Sequence, residues 1–197
     1  MTALVLAAAL GLLLTGSFVQ LARRFGWGKA IRSAGPESHQ AKAGTPTMGG
    51  AAFLLAATVA WLLLGDDLGA DLAPALLVLG SGLLGLWDDA LALQRKRAIA
   101  QGLEVGTGLL ARYRLLGQGA LALGFAVWAV GAGHALFGVA WLDVLAYAFV
   151  VVGSINALNF TDGLDGLAAG VAAIALLFFL GSPFAAALLG ALLGFLW

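Results

Sequence analysis

Cysteine is absent from the 197-residue sequence. That excludes a disulfide framework and a thiolate metal site, so neither redox compartment nor zinc chemistry is legible from cysteine usage. Histidine occurs only as His39 and His134. By the topology derived below they lie on opposite sides of a membrane and cannot build a common site. Charge is scarce as well: 10% of residues are charged and the formal net charge is zero, against 62% hydrophobic residues. An ordinary soluble domain is excluded by that balance, and no nucleic-acid partner is expected. Internal repeats of about 20–50 residues and low-complexity linkers are also missing.

What the chain has instead is apolar segments, recurring along its whole length, that can cross a hydrocarbon core of roughly 30 Å. The pattern places spans at 2–22, 47–64, 73–92, 115–131, 142–160 and 167–180, with a last one beginning near 184. The fold predicted is all-α: a polytopic transmembrane helical bundle forming a single integral-membrane domain over 1–197, with six complete spans and a truncated seventh. After Gly181-Ser182-Pro183, read as a tight outer turn, FAAALLGALLGFLW stops within apolar sequence, so the expectation is a chain truncated at its C-terminus. MTALVLAAALGLLLTGSFVQLA reads as the first span rather than a signal peptide, because its basic residues follow the apolar part. The connection 132–141, GAGHALFGVA, reads as a short hairpin or an irregular loop.

The ten basic residues fall into two groups: Arg23, Arg24, Lys29, Arg32 and Lys42, then Arg95, Lys96, Arg97, Arg112 and Arg114. Such bias sets orientation, so both stretches are assigned to the cytoplasmic side. The loop with Asp66, Asp67 and Asp71, and the N-terminus, are assigned outside. Alternation then brings Asp88 and Asp89, at the inner end of the third span, to the same membrane face as Asp162 and Asp165 after the fifth.

Acidic residues at a membrane are costly to bury and face a polar cavity or a partner. Asp162 and Asp165 are three apart, as are Asn156 and Asn159, which on a helix puts each pair on one face. Carboxylates and amide oxygens are hard ligands suited to Mg²⁺, which also takes waters and phosphate oxygens. The competing reading is interfacial: helix caps, or pairing with Arg112 or Arg114. Asp88 and Asp89 point about 100° apart on a helix, so they are expected to divide their labour, one toward an ion or reacting group and one toward a basic neighbour.

GTPTMGG, residues 44–50, lies where the first basic loop enters the second span. Thr45 before Pro46 suits an N-cap followed by proline at the first helical position, which would expose amides and a positive dipole end to phosphate. No GK[ST] follows, so it is not a Walker loop. The plainer alternative is a cap with small residues for close packing. Most of the basic residues equally suit orientation and anionic headgroups. Arg112 and Arg114 differ because they lead directly into the fourth span, where a cation could meet a phosphate.

Taken in order, GPESHQAKAGTPTMGG, LLGLWDD, GLLARYRLLGQ and NALNFTDGLDGLAAG resemble the phospho-N-acetylmuramoyl-pentapeptide transferases. These belong to the polyprenyl-phosphate sugar-1-phosphate transferases, and the resemblance spans the chain but only the N-terminal half to two-thirds of such an enzyme. It implies transfer of phospho-MurNAc-pentapeptide from UDP-MurNAc-pentapeptide to undecaprenyl phosphate with Mg²⁺, giving lipid I and UMP at the cytoplasmic face of the bacterial inner membrane. It also implies a homodimer. The family pattern would make Asp88 and Asp89 the catalytic acidic pair, put Lys42 and Thr47 in the first loop's substrate-binding motif, and set Arg114 near the phosphates where a lysine is usual. Asn156 and Asp165 would bind the nucleotide, Asp165 reading uracil, and Asp162 would bind the metal.

Two departures bear on this. Ala92 stands where the family has a lysine three positions after the acid pair, and the later MGD aspartate and histidine-rich loop are not in the sequence, so this chain alone is expected to be inactive. The rival readings are a UDP-GlcNAc-type transferase of the same superfamily, an ion transporter, and a non-catalytic membrane fragment.

Overall fold

A computed structural model describes residues 1–26, 48–102 and 108–197. Among the described residues seven α-helices follow one another: α1 (Thr2–Arg24), α2 (Gly50–Leu64), α3 (Leu68–Ala100), α4 (Gly108–Gly131), α5 (Ala140–Thr161), α6 (Leu167–Leu176, extended by a 3₁₀ turn Leu177–Phe179) and α7 (Pro183–Leu196). There is no strand among the described residues, which settles 132–139 as an irregular loop. The all-α expectation holds and each predicted span has its helix.

Helix length modifies the span count. Among the described residues four helices, α1, α3, α4 and α5, are long and apolar enough to cross a membrane; α2, α6 and α7 are shorter apolar helices. At a rise of 1.5 Å per residue the 15 residues of α2 reach about 22 Å, short of a hydrocarbon core. α3 departs in the other direction, running 33 residues. Asp88 lies twenty residues after Leu68, about 30 Å along the helix or one core thickness, and the turns carrying Arg95 and Arg97 project beyond it. Asp88 and Asp89 therefore lie well inside a helix that runs on to Ala100, not at a helix end.

Local signals start the helices. The Asp67 carboxylate accepts hydrogen bonds from the Gly69 and Ala70 amides (3.0 and 3.2 Å), capping α3. Ser182 Oγ accepts from the Ala185 amide at 3.0 Å with Pro183 in the first turn, so α7 combines a serine cap with proline. Between α5 and α6 the chain reverses in a tight polar turn whose last residue, Gly166, has φ 78°, a left-handed conformation that a Cβ would oppose.

Packing centres on α1, α2 and α7. Ala3, Ala7 and Gly11 form a small-residue stripe at four-residue spacing on α1, opposite Ala187, Gly190, Ala191 and Gly194 on α7. A Cβ on Gly11 would come 2.6 Å from the Ala191 carbonyl oxygen, and one on Gly190 would overlap the Leu4 carbonyl. Backbones this close are the small-xxx-small packing by which helices associate in lipid, where hydrophobic burial between them offers little. Trp61 packs edge-on to Phe184, centroids 5.1 Å apart. Large apolar side chains such as Phe149, Phe160 and Trp141 point outward, as hydrocarbon solvent requires.

Contacts define the two ends of the bundle. At one, buried Asp71 of α3 accepts from Ser182 Oγ (2.7 Å) and the Phe184 amide (2.9 Å) at the start of α7. Near the start of α5, buried Asp143 accepts from the Phe137 amide at 2.7 Å. At the other end, the second half of α3 meets the starts of α2 and α4.

Candidate functional site

The acid pair divides as helix geometry requires. Asp88 Oδ2 lies 3.4 Å from Arg114 Nη1, both side chains rather more than a third exposed. Asp89 Oδ2 accepts from the Met48 amide at 3.1 Å. Thus one carboxylate meets a basic side chain while its neighbour holds backbone before α2. Met48 has φ 69°, a left-handed conformation costing a non-glycine residue about 1–2 kcal/mol, and the Asp89 bond helps retain it. α2 starts at Gly50 with Gly49 in the cap position. Lys42, Thr45, Pro46 and Thr47 lie outside the described residues.

A cavity of about 340 Å³ opens here between α2, α3, α4 and α5, its lining including Met48, Asp88, Asp89, Arg114, Gln118 and Asn159. Sharing Leu84, Asp88 and Arg114 with it is a second, apolar cavity of about 230 Å³, lined also by Trp87, Leu91 and Tyr113. A polar and an apolar cavity thus meet at one ion pair.

Asn156 does not line the polar cavity but is tied to it: its Nδ2 donates to the Val152 carbonyl (2.8 Å) and to Gln118 Oε1 (3.0 Å). Asp162 and Asp165 are exposed and absent from the lining. They also do not share a helix face. α5 ends at Thr161, Asp162 caps it, and the residues to Gly166 form turns, because Gly163 and Gly166 break the helix that their spacing alone would suggest.

Among the described residues no three of His, Cys, Asp and Glu gather to hold a metal ion. Asp88 and Asp89 nonetheless suit a partial magnesium site. Each has one carboxylate oxygen with no hydrogen bond among the described residues, and Mg²⁺ commonly takes one or two carboxylates, completing its shell with water and phosphate oxygens. Sequence reasoning gave no role to Gln118, although its position four residues after Arg114, in otherwise apolar helix, puts it on the same face.

An all-helical integral membrane protein with a charged cavity at one end of its bundle is thereby defined. Comparison with known proteins narrows the class. The model of glycosyl transferase family 4 matches residues 72–197, and the chain belongs to that family. A phospho-N-acetylmuramoyl-pentapeptide-transferase signature matches residues 42–54; of its described part, Met48, Gly50, Phe53 and Leu54 all line the polar cavity. Phospho-N-acetylmuramoyl-pentapeptide-transferases of Deinococcus radiodurans and Oceanobacillus iheyensis are 43% and 36% identical over 98% of this chain. That of Moorella thermoacetica is 40% identical over 85%. The chain spans 66%, 65% and 54% of the lengths of these relatives, less than two thirds in each. No solved structure matches it.

Proposed function

We propose that this chain provides part of a transferase that moves phospho-MurNAc-pentapeptide from its UDP carrier to undecaprenyl phosphate. The products are lipid I and UMP, and the reaction takes place at the cytoplasmic face of the bacterial inner membrane. The observation that carries the reading is the Asp88–Arg114 pair, which lines both the more polar cavity and the apolar one. An acceptor with a phosphate head and a hydrocarbon tail needs that pairing of environments.

In the reaction a lipid-phosphate oxygen attacks the sugar-bearing phosphorus. A new P–O bond forms, the bond to the bridging oxygen breaks, and UMP departs. Such transfers depend on positioning and charge neutralisation more than on covalent chemistry by the protein. Arg114 binds phosphate as a fixed cation, and one of Asp88 and Asp89 accepts any proton left on the acceptor. Lys42, Thr47 and Asp165 contact the nucleotide-sugar side, Asp165 at uracil, and Asn156 supports that side from outside the cavity lining. Mg²⁺ would be held by oxygens of the acid pair together with water and phosphate oxygens, or by Asp162 outside the cavity lining, and when bound neutralises pyrophosphate charge. A homodimer is the proposed assembly.

The test joins this chain to the part of the D. radiodurans relative that the match leaves uncovered and measures Mg²⁺-dependent UMP release in membranes. Release with UDP-MurNAc-pentapeptide, lost in Asp88→Asn, is expected. Preference for UDP-GlcNAc, or ion flux with no UMP, would overturn the assignment.

A further inference from the structure

Gln118 is 7% exposed and lines the polar cavity, and its two amide atoms have different fates. The Val152 carbonyl can only accept, so the Asn156 group facing it at 2.8 Å must be the NH₂. That same NH₂ has a second proton, which goes to Gln118 at 3.0 Å. The Gln118 atom receiving it must therefore be Oε1. Two successive hydrogen bonds thus fix which way round the glutamine amide lies, and its Nε2 is left with two protons and no hydrogen-bond partner among the described residues. That donor belongs to a residue lining a cavity one helical turn from Arg114, where it is available to a ligand.

We infer that Gln118 Nε2 is a substrate-binding donor, aimed by Asn156, that hydrogen-bonds a phosphate oxygen in the cavity beside Arg114. This rests on the proposed function and extends it. Two sources of phosphate fit the chemistry, the nucleotide pyrophosphate and the lipid monophosphate. Asn156, outside the lining, then acts through Gln118 as a positioning residue.

The experiment measures binding by the full 197-residue chain in detergent at pH 8, with UDP-MurNAc-pentapeptide in one arm and a short-chain polyprenyl phosphate in the other. Gln118→Leu removes the donor. Gln118→Glu keeps an oxygen for Asn156 but turns an anion toward the phosphate. The expected order of affinity is wild type, then Leu weaker by about tenfold or more, the usual weight of a hydrogen bond to a charged group, then Glu weaker still. The arm that shows this order identifies the phosphate source.

A purely structural glutamine predicts the opposite order, Glu matching wild type and Leu the worst, and that result would overturn the inference. Wild-type binding unchanged in both variants would also overturn it while leaving the proposed function standing. Wild-type chain that binds neither probe would overturn both.

Discussion

Replacing Asp71 with alanine tests whether α3 and α7 are joined through a buried carboxylate. Asp71 is 6% exposed and accepts from Ser182 Oγ at 2.7 Å and from the Phe184 amide at 2.9 Å. Hydrogen bonds to a charged group contribute about 1.5–3 kcal/mol each, so simple addition gives about 3–6 kcal/mol. The two donors are not equally stranded. Ser182 still accepts from the Ala185 amide and can rotate its hydroxyl, whereas the amide of Phe184, itself 2% exposed, has nowhere to turn. The lower half of the range, about 3–4 kcal/mol, is therefore expected. Against a total of about 5–15 kcal/mol that is a large fraction. Asp71→Asn should be clearly milder, since its Oδ1 can still accept from the Phe184 amide while its Nδ2 donates to a rotated Ser182 hydroxyl. The assay is reversible unfolding in mixed detergent micelles, with Ser182→Ala completing a double-mutant cycle whose coupling should exceed about 1 kcal/mol. A loss under about 0.5 kcal/mol for Asp71→Ala, or no coupling to Ser182, would refute the reasoning.

The Asp88–Arg114 pair should behave in the opposite way: partly exposed and 3.4 Å apart, it is worth less than about 1 kcal/mol. Asp88→Asn and Arg114→Gln should thus leave unfolding midpoints nearly unchanged while cutting UMP release by the fused enzyme by about a hundredfold; a large stability loss would make the pair structural. On α1, Gly11→Leu should destabilise by about 3 kcal/mol or more through overlap with α7. Gly16→Ala, with nothing within 4 Å of its Cβ position, should be neutral or stabilising by about 0.5–1 kcal/mol, and equal effects at the two positions would deny the close seam. Because the protein has no cysteine, single cysteines at 88 and 162 can be labelled from either side of intact cells. Both should react from the same side, and labelling from opposite sides would dismantle the proposed site.

Much of this was visible in the sequence, for definable reasons. Apolar runs located every described helix because lipid solvent imposes a length and a composition together. The split roles of Asp88 and Asp89 followed from a helical turn of 100° per residue, and the nearness of Met48 to the acid pair agrees with the alternation of spans. Hydropathy could not locate the end of α3, because it reports where lipid ends. The helix continues through Gln94–Ala98 in water, where straight-chain residues keep high helix propensity. Asp162 and Asp165 had helical spacing, but Gly163 and Gly166 decided the backbone. Asp71 and Asp143 carried no local sign of burial: the partner of Asp71 lies 111 residues away, and that of Asp143 is a backbone amide. Gln118 could have been found from its place on the Arg114 face.

The alanine and glycine stripe of α1 meets α7 across more than 170 residues of chain. At about 5–20 residues per second of synthesis, roughly ten to thirty seconds separate the two helices' emergence from the ribosome. During that interval the α1 stripe has no α7 to cover it. A seam of bulky polar groups would be a hazard for so long in a bilayer, but one of hydrogen and methyl groups presents lipid with nothing to reject, so a late partner can still find it bare.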